Sequence, residues 1–315
     1  MSADLLELLV SLVVLTVAGD QFVVGVARVA ASLRVRPTVV GAIIGGIGTS
    51  LPELIVAWVA SARGDTQLAV GNLVGSVIAN ISLGLAIAAL VAPVRVDSRT
   101  VRREAPLSVA SVLLFALVVI GGISAGEGLL LVVVLGASLF GLLMNARRGP
   151  MSDELAVEVV DFFGRPTRQR VKREIARTVA GMVGMVAGAE LLVASATDLA
   201  QRLGLAEGFV GLTLVAVGTS APLIAASVQA ARRGDHDLVV GNVLGGNLVI
   251  ALAGGAIVAF VANGPSGWVG PAPLWSMSAV TVAAWGFMAR GSRITRWEAV
   301  VLLLAYGATL PFVAR

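Results

Sequence analysis

Ten stretches of the chain are almost unbroken in apolar residues: 5–18, 37–60, 66–94, 105–125, 127–144, 178–200, 208–231, 237–262, 268–289 and 297–314. Polar residues gather in short clusters between them. Most stretches are long enough to cross a hydrocarbon core of roughly 30 Å as a helix. The pattern predicts an all-α membrane protein with about ten transmembrane helices. One long polar stretch, GPMSDELAVEVVDFFGRPTRQRVKRE, interrupts it. It divides the chain into a first five-helix unit (1–147), a cytoplasmic linker (148–173) with an interfacial helix around 153–163, and a second five-helix unit (174–315).

The second unit repeats the first at a displacement of 170 residues. VGAIIGGIGTS (40–50) lies over VGLTLVAVGTS (210–220), Pro52 over Pro222, Gly64-Asp65 over Gly234-Asp235, Gly71-Asn72 over Gly241-Asn242, and Asp20 over Glu190. Five spans is an odd number, so the second copy enters the membrane from the opposite side. Inverted repeats of this kind build secondary transporters around a site near the midplane.

Composition sharpens the reading. Apolar residues make up 57% of the chain and charged residues 13%, with a mean hydropathy of +0.94; a soluble domain is about a quarter charged. Of 23 Lys and Arg, 20 lie in every second connection, within 28–36, 95–103, 147–177, 232–233 and 290–296. The positive-inside rule assigns that side to the cytoplasm and turns both termini outward. The same bias accounts for the net charge of +4 without a nucleic-acid partner. The N-terminus, MSADLLELL, carries acids where a cleavable signal has bases, so the first span is expected to stay. No cysteine is present, which excludes disulfides and thiolate metal sites. The expected location is a prokaryotic plasma membrane, with the bilayer as partner.

The candidate chemistry sits inside the spans. GTSLPE (48–53) combines a proline, which removes a backbone donor, with Gly45, Gly46 and Gly48, which let the backbone bend. Carbonyls freed this way must face protein, water or an ion. Thr49 and Ser50 add hydroxyls. Glu53 adds a carboxylate, which is costly in a membrane and usually functional there. In GNLVGSVIAN (71–80), Ser76 and Asn80 share one helical face, and Gly71 and Gly75 form a small-residue surface for close contact. Two helices could thus place Glu53, Ser76 and Asn80 around one point. Such oxygens are the ligands of hard cations.

These residues resemble the calcium/cation antiporter superfamily, best known for its sodium/calcium exchangers. The resemblance rests on GTSLPE with GDTQLAVGNLVGSVIAN in the first half and GTSAPL with GDHDLVVGNVLGGNLVI in the second. It implies ten helices in inverted repeats and exchange of Ca²⁺ or related cations against Na⁺, H⁺ or K⁺ by alternating access. It implies that Glu53 is the acidic ligand of the first repeat. Thr49, Ser50, Ser76 and Asn80 stand as its other ligands, and Thr219 and Ser220 as those of the second repeat. A metal ion would rest chiefly on Glu53 and Asn80. The second repeat departs from the pattern at three positions. Leu223 replaces a glutamate, Gly246 a serine, and Ile250 an aspartate or asparagine.

A site with one carboxylate balances Ca²⁺ poorly and suits a monovalent cation better. Burial disfavours the charged form of a carboxyl group, so Glu53 is also a candidate proton carrier. Leu223, Gly246 and Ile250 are expected to form an apolar wall with room beside Gly246 for a larger cation. Asp20 and Glu190 either line an ion path or hold the first helices of the two halves. His236 is expected in a solvated loop, and the five tryptophans near span ends. Three functions stay open: a cation antiporter with altered selectivity, a proton-coupled exporter of an organic cation or small metabolite, and a non-transporting scaffold. No nucleophile–base pair, phosphate loop or metal cluster points to an enzyme, and no cofactor is implied beyond transported Ca²⁺, Na⁺ or H⁺. The solute, the stoichiometry and the oligomeric state are left open.

Overall fold

The computed structural model describes residues 2–32, 48–97, 100–148, 171–262 and 270–313. Gly45, Gly46, Trp268 and the expected interfacial helix at 153–163 lie outside them. Ten helices run through the described residues. They are α1 (Ser2–Ser32), α2 (Leu51–Arg63), α3 (Thr66–Val91), α4 (Thr100–Gly121), α5 (Ala125–Arg148), α6 (Val171–Leu203), α7 (Glu207–Arg233), α8 (His236–Val261), α9 (Pro271–Gly291) and α10 (Arg296–Val313). Eight contain windows long and apolar enough to cross a membrane. α2 is shorter, and a 3₁₀ turn at Gly48–Ser50 leads into it.

The 170-residue displacement holds in the helix limits. α3 and α8 begin at Thr66 and His236 and end at Val91 and Val261. Each contains a π-helical turn, at Asn80–Leu85 and at Ile250–Gly254. α2 and α7 both end on a left-handed glycine, Gly64 at φ 90° and Gly234 at φ 78°. That conformation costs glycine nothing. It lets the next amide bond back, Asp65 to the Ala60 carbonyl and Asp235 to that of Ala230, which is why Gly-Asp recurs at both places.

α3 and α8 are the centre of the bundle. Some 78% of the apolar window of α3 and 72% of that of α8 are buried, against 28% for α1. α1 and α6 form a long antiparallel pair at the edge, with Leu9, Val13, Val17, Val179 and Val183 facing outward. At 33 residues and about 1.5 Å per residue, α6 is about 50 Å long, well beyond the hydrocarbon thickness. At one end of the pair, Glu174 holds both Arg28 (3.1 Å) and Arg177 (3.2 Å).

Short strands β1 (Val94–Arg95) and β2 (Arg293–Ile294) pair antiparallel, Val94 opposite Ile294. β1 follows α3 and β2 follows α9, so this pairing puts two of the basic connections at the same end of the bundle.

The crossing of α3 and α7 is tight. A Cβ on Gly71 would run into the Gly208 carbonyl oxygen, and one on Gly75 into that of Leu212. These are the two glycines whose spacing predicts close helix contact.

Candidate functional site

The two GTS segments, the first a 3₁₀ turn and the second inside α7, meet the two central helices crosswise. Thr49 Oγ1 donates to Asn242 Oδ1 on α8 (3.1 Å), and its counterpart Thr219 donates to Asn72 Oδ1 on α3 (3.3 Å). The two bonds are related by the internal repeat. Asn72 also donates from Nδ2 to the backbone carbonyl of Glu53 (3.3 Å). Ser50 Oγ donates to the Gly246 carbonyl (3.5 Å). Thr49, Ser50, Thr219 and Ser220 therefore all tie one half of the chain to the other, or to its carboxylate.

Glu53 lies in the first turn of α2, just after Pro52. Its exposure is 0%. Ser220 Oγ donates to its Oε1 (3.4 Å), while Oε2 has no partner. Ser76 Oγ and Asn80 Oδ1, both fully buried on the packed neighbour α3, are also unpartnered. Buried polar oxygens ordinarily find a donor. Ser61 Oγ on α2 and Ser82 Oγ on α3 are unpartnered too, but only the set with Glu53 includes a carboxylate, and it is the part of the described structure best suited to a cation. Among the described residues, no three His, Asp or Glu side chains gather. Any cation here would be held by one carboxylate and neutral oxygens.

The second-half substitutions fill space rather than open it. Leu223 and Ile250 are fully buried. A Cβ on Gly246 would sit 3.1 Å from Leu223 Cδ1 and 3.3 Å from Ser50 Oγ, and one on Gly84 would sit 3.2 Å from Leu223 Cδ2. The expected room beside Gly246 is thus taken up by the branched end of Leu223.

Asp20 and Glu190 are not brought to this cluster. Asp20 is exposed on α1. Glu190 is exposed on α6 and paired with Arg63 at 2.8 Å. His236 is not in a solvated loop: it opens α8, half-buried, with Nδ1 shielded and without a partner. Trp58, Trp275 and Trp297 are exposed, whereas Trp285 turns inward and donates to the Val101 carbonyl (3.1 Å).

Three residues at the site were not among the candidates. Asn72 and Asn242 carried a signal, since they repeat at the common displacement. Asn247 carried none, because its counterpart is Val77. It is fully buried and accepts from Asn80 Nδ2 at 2.9 Å.

Two inverted five-helix units around a buried, polar, crosswise-bonded centre define a membrane transporter of the secondary-active type. The comparisons narrow this. The family model for sodium/calcium exchanger protein matches residues 4–144 and 174–314, and the chain belongs to that family. CaxA of Alkalimonas amylolytica, provisionally named an antiporter, is 32% identical over 95% of this chain and 94% of its own. The sodium/calcium exchanger MaX1 of Methanosarcina acetivorans is 29% identical over 98% of each. The solved structure of the sodium-calcium exchanger NCX_Mj, soaked with 10 mM Na⁺ and zero Ca²⁺, superposes with a TM-score of 0.65 at 27% identity, covering 98% of both chains. The chain is an integral membrane protein of an antiporter family whose members move small ions, and its relatives are transporters rather than enzymes.

Proposed function

We propose that this protein is a secondary-active cation antiporter. It works by alternating access around Glu53, with altered selectivity toward monovalent ions. The observation that carries the reading is that Glu53 Oε2 on α2 and Ser76 Oγ and Asn80 Oδ1 on the packed helix α3 are all unpartnered, in residues with no exposure. Thr49, Ser50, Thr219 and Ser220 complete the set, as carbonyl donors or as hydroxyls that orient the carboxylate. A cation entering here gains one full negative charge and several dipoles. That matches Na⁺ or H⁺ more closely than Ca²⁺, which commonly uses more than one carboxylate.

Leu223 reinforces the selectivity argument. It occupies the second-repeat position opposite Glu53 with an apolar group, so no second charge is available to a divalent ion. The packing of Leu223 against Gly246 and Gly84 also favours a small ion over an organic cation. Both termini are placed outside, with the β1–β2 pair and the basic connections in the cytoplasm.

The test is ⁴⁵Ca²⁺ uptake into proteoliposomes under an imposed Na⁺ gradient and, separately, an imposed pH gradient, with Glu53→Gln as control. The reading expects gradient-driven cation movement that needs Glu53, and Ca²⁺ uptake weak beside that of Na⁺. Strong Ca²⁺ uptake would refute the monovalent assignment while keeping the antiporter. Undiminished transport by Glu53→Gln would refute the site.

A further inference from the structure

The second half has Ile250 where the first has Asn80, yet the polar group is displaced rather than deleted. Asn247 stands three residues before Ile250, one turn away on the same side of α8. Its own counterpart in the first half is Val77. Each central helix therefore carries one amide in this turn, at different registers, and the two amides meet. Asn80 Nδ2 donates to Asn247 Oδ1 at 2.9 Å, and Asn247 Nδ2 donates to the Val77 carbonyl at 3.4 Å. Both residues are fully buried.

The pairing leaves Asn80 no rotational choice. An amide presents a donor end and an acceptor end. With the donor end tied to Asn247, Oδ1 points elsewhere, and it is left without a partner. An orphaned acceptor in a dry interior is costly unless something completes it. Had Asn247 been valine, as in the first half, it would offer the Asn80 Nδ2 no acceptor to fix the amide.

We propose that Asn247 is a positioning and selectivity-determining residue. It holds the Asn80 amide so that Oδ1 faces the ion site, and so restores to the second half a role in the site that Ile250 no longer supplies. This rests on the cation-site reading of Glu53 and deepens it. The ligand class is a small monovalent cation, because the second half contributes an amide dipole and no charge.

The test uses the full-length protein in detergent. Its melting temperature is followed against Na⁺ and Ca²⁺ concentration, with choline chloride holding ionic strength. Saturable stabilisation reports binding. Asn247→Ala should weaken the apparent Na⁺ affinity about tenfold, the usual cost of removing a group that orients a ligand, and Asn80→Ala should do at least as much. The double variant should bind no worse than Asn80→Ala alone, because Asn247 acts through Asn80; additive losses would mean that Asn247 acts on the ion independently of Asn80. Asn247→Asp keeps an acceptor for Asn80 and adds a second carboxylate, so its preference should move toward Ca²⁺. Wild-type affinity in Asn247→Ala, or additive losses, with binding still abolished by Glu53→Gln, would overturn this proposal alone. Wild-type protein indifferent to both cations would overturn the site reading and this proposal with it.

Discussion

At the scale of residues, the account turns on one charge. Glu53 is buried with a single donor, Ser220, at one oxygen. An uncompensated buried charge weakens the fold, a cost that the proposed cation would offset. Glu53→Gln preserves the shape and removes the charge. It should lower transport by about a hundredfold, the upper range for groups that only orient a metal ligand, and leave the melting temperature equal or higher. Leu223→Glu is the converse. A second buried carboxylate without a cation should cost about 3–5 kcal/mol, and Ca²⁺ should recover much of that loss. Melting curves with and without Ca²⁺ check both signs. Glu53, Thr49, Ser50, Ser76 and Asn80 were legible in the sequence because each stands in a repeated phrase inside an apolar span. Asn247 was not. Its importance comes from a bond to Asn80 across 167 residues, which no local pattern encodes. The packing of Leu223 was illegible for a related reason. Replacing glutamate by leucine can leave a void or fill one, and only the positions of Gly246 and Gly84 decide which.

At the scale of elements, the α3–α7 crossing holds the site together. Thr219 and Ser220 on α7 reach Asn72 and Glu53 only because Gly71 and Gly75 let the backbones touch. Gly75→Leu should force the helices apart. It should destabilise the protein by about 1–3 kcal/mol or more and weaken cation binding with it, read as a lower melting temperature and a loss of cation-dependent stabilisation. Gly286→Ala on α9 is the control. A Cβ there meets nothing within 4 Å, and alanine gains up to about 1 kcal/mol in a helix interior. The glycine spacing was readable because close helix contact follows from sterics alone. The paired π turns beginning at Asn80 and Ile250 were not. They shift the helical register by a residue with no proline to announce them. Nor was the place of His236 legible: a charged Arg-Arg-Gly-Asp run reads as loop, but Gly234 ends one helix and Asp235 caps the next, and His236 is already helical.

At the scale of the whole molecule, the repeat is the organising feature, and it was readable wherever residues of both halves are described. The ten apolar runs and the 170-residue displacement survive in the helix limits and in the crosswise Thr49–Asn242 and Thr219–Asn72 bonds. The β1–β2 pairing adds what the runs could not show, a direct link between two connections nearly 200 residues apart. It also provides a test of sidedness. The native chain has no cysteine, so Arg293→Cys and Ser124→Cys each offer a single label site. In intact cells, an impermeant maleimide should label Ser124→Cys, an exposed and nearly isosteric site in the outward connection, and not Arg293→Cys; the reverse would invert the topology. The central claim is that a single carboxylate at the meeting of the two repeats carries a monovalent cation across. The most direct measurement is ²²Na⁺ counterflow into Na⁺-loaded proteoliposomes, which needs no knowledge of the coupling ion. The account predicts saturable ²²Na⁺ accumulation in wild type and its loss in Glu53→Gln. Equal accumulation in both, or none in folded wild-type protein, would contradict it.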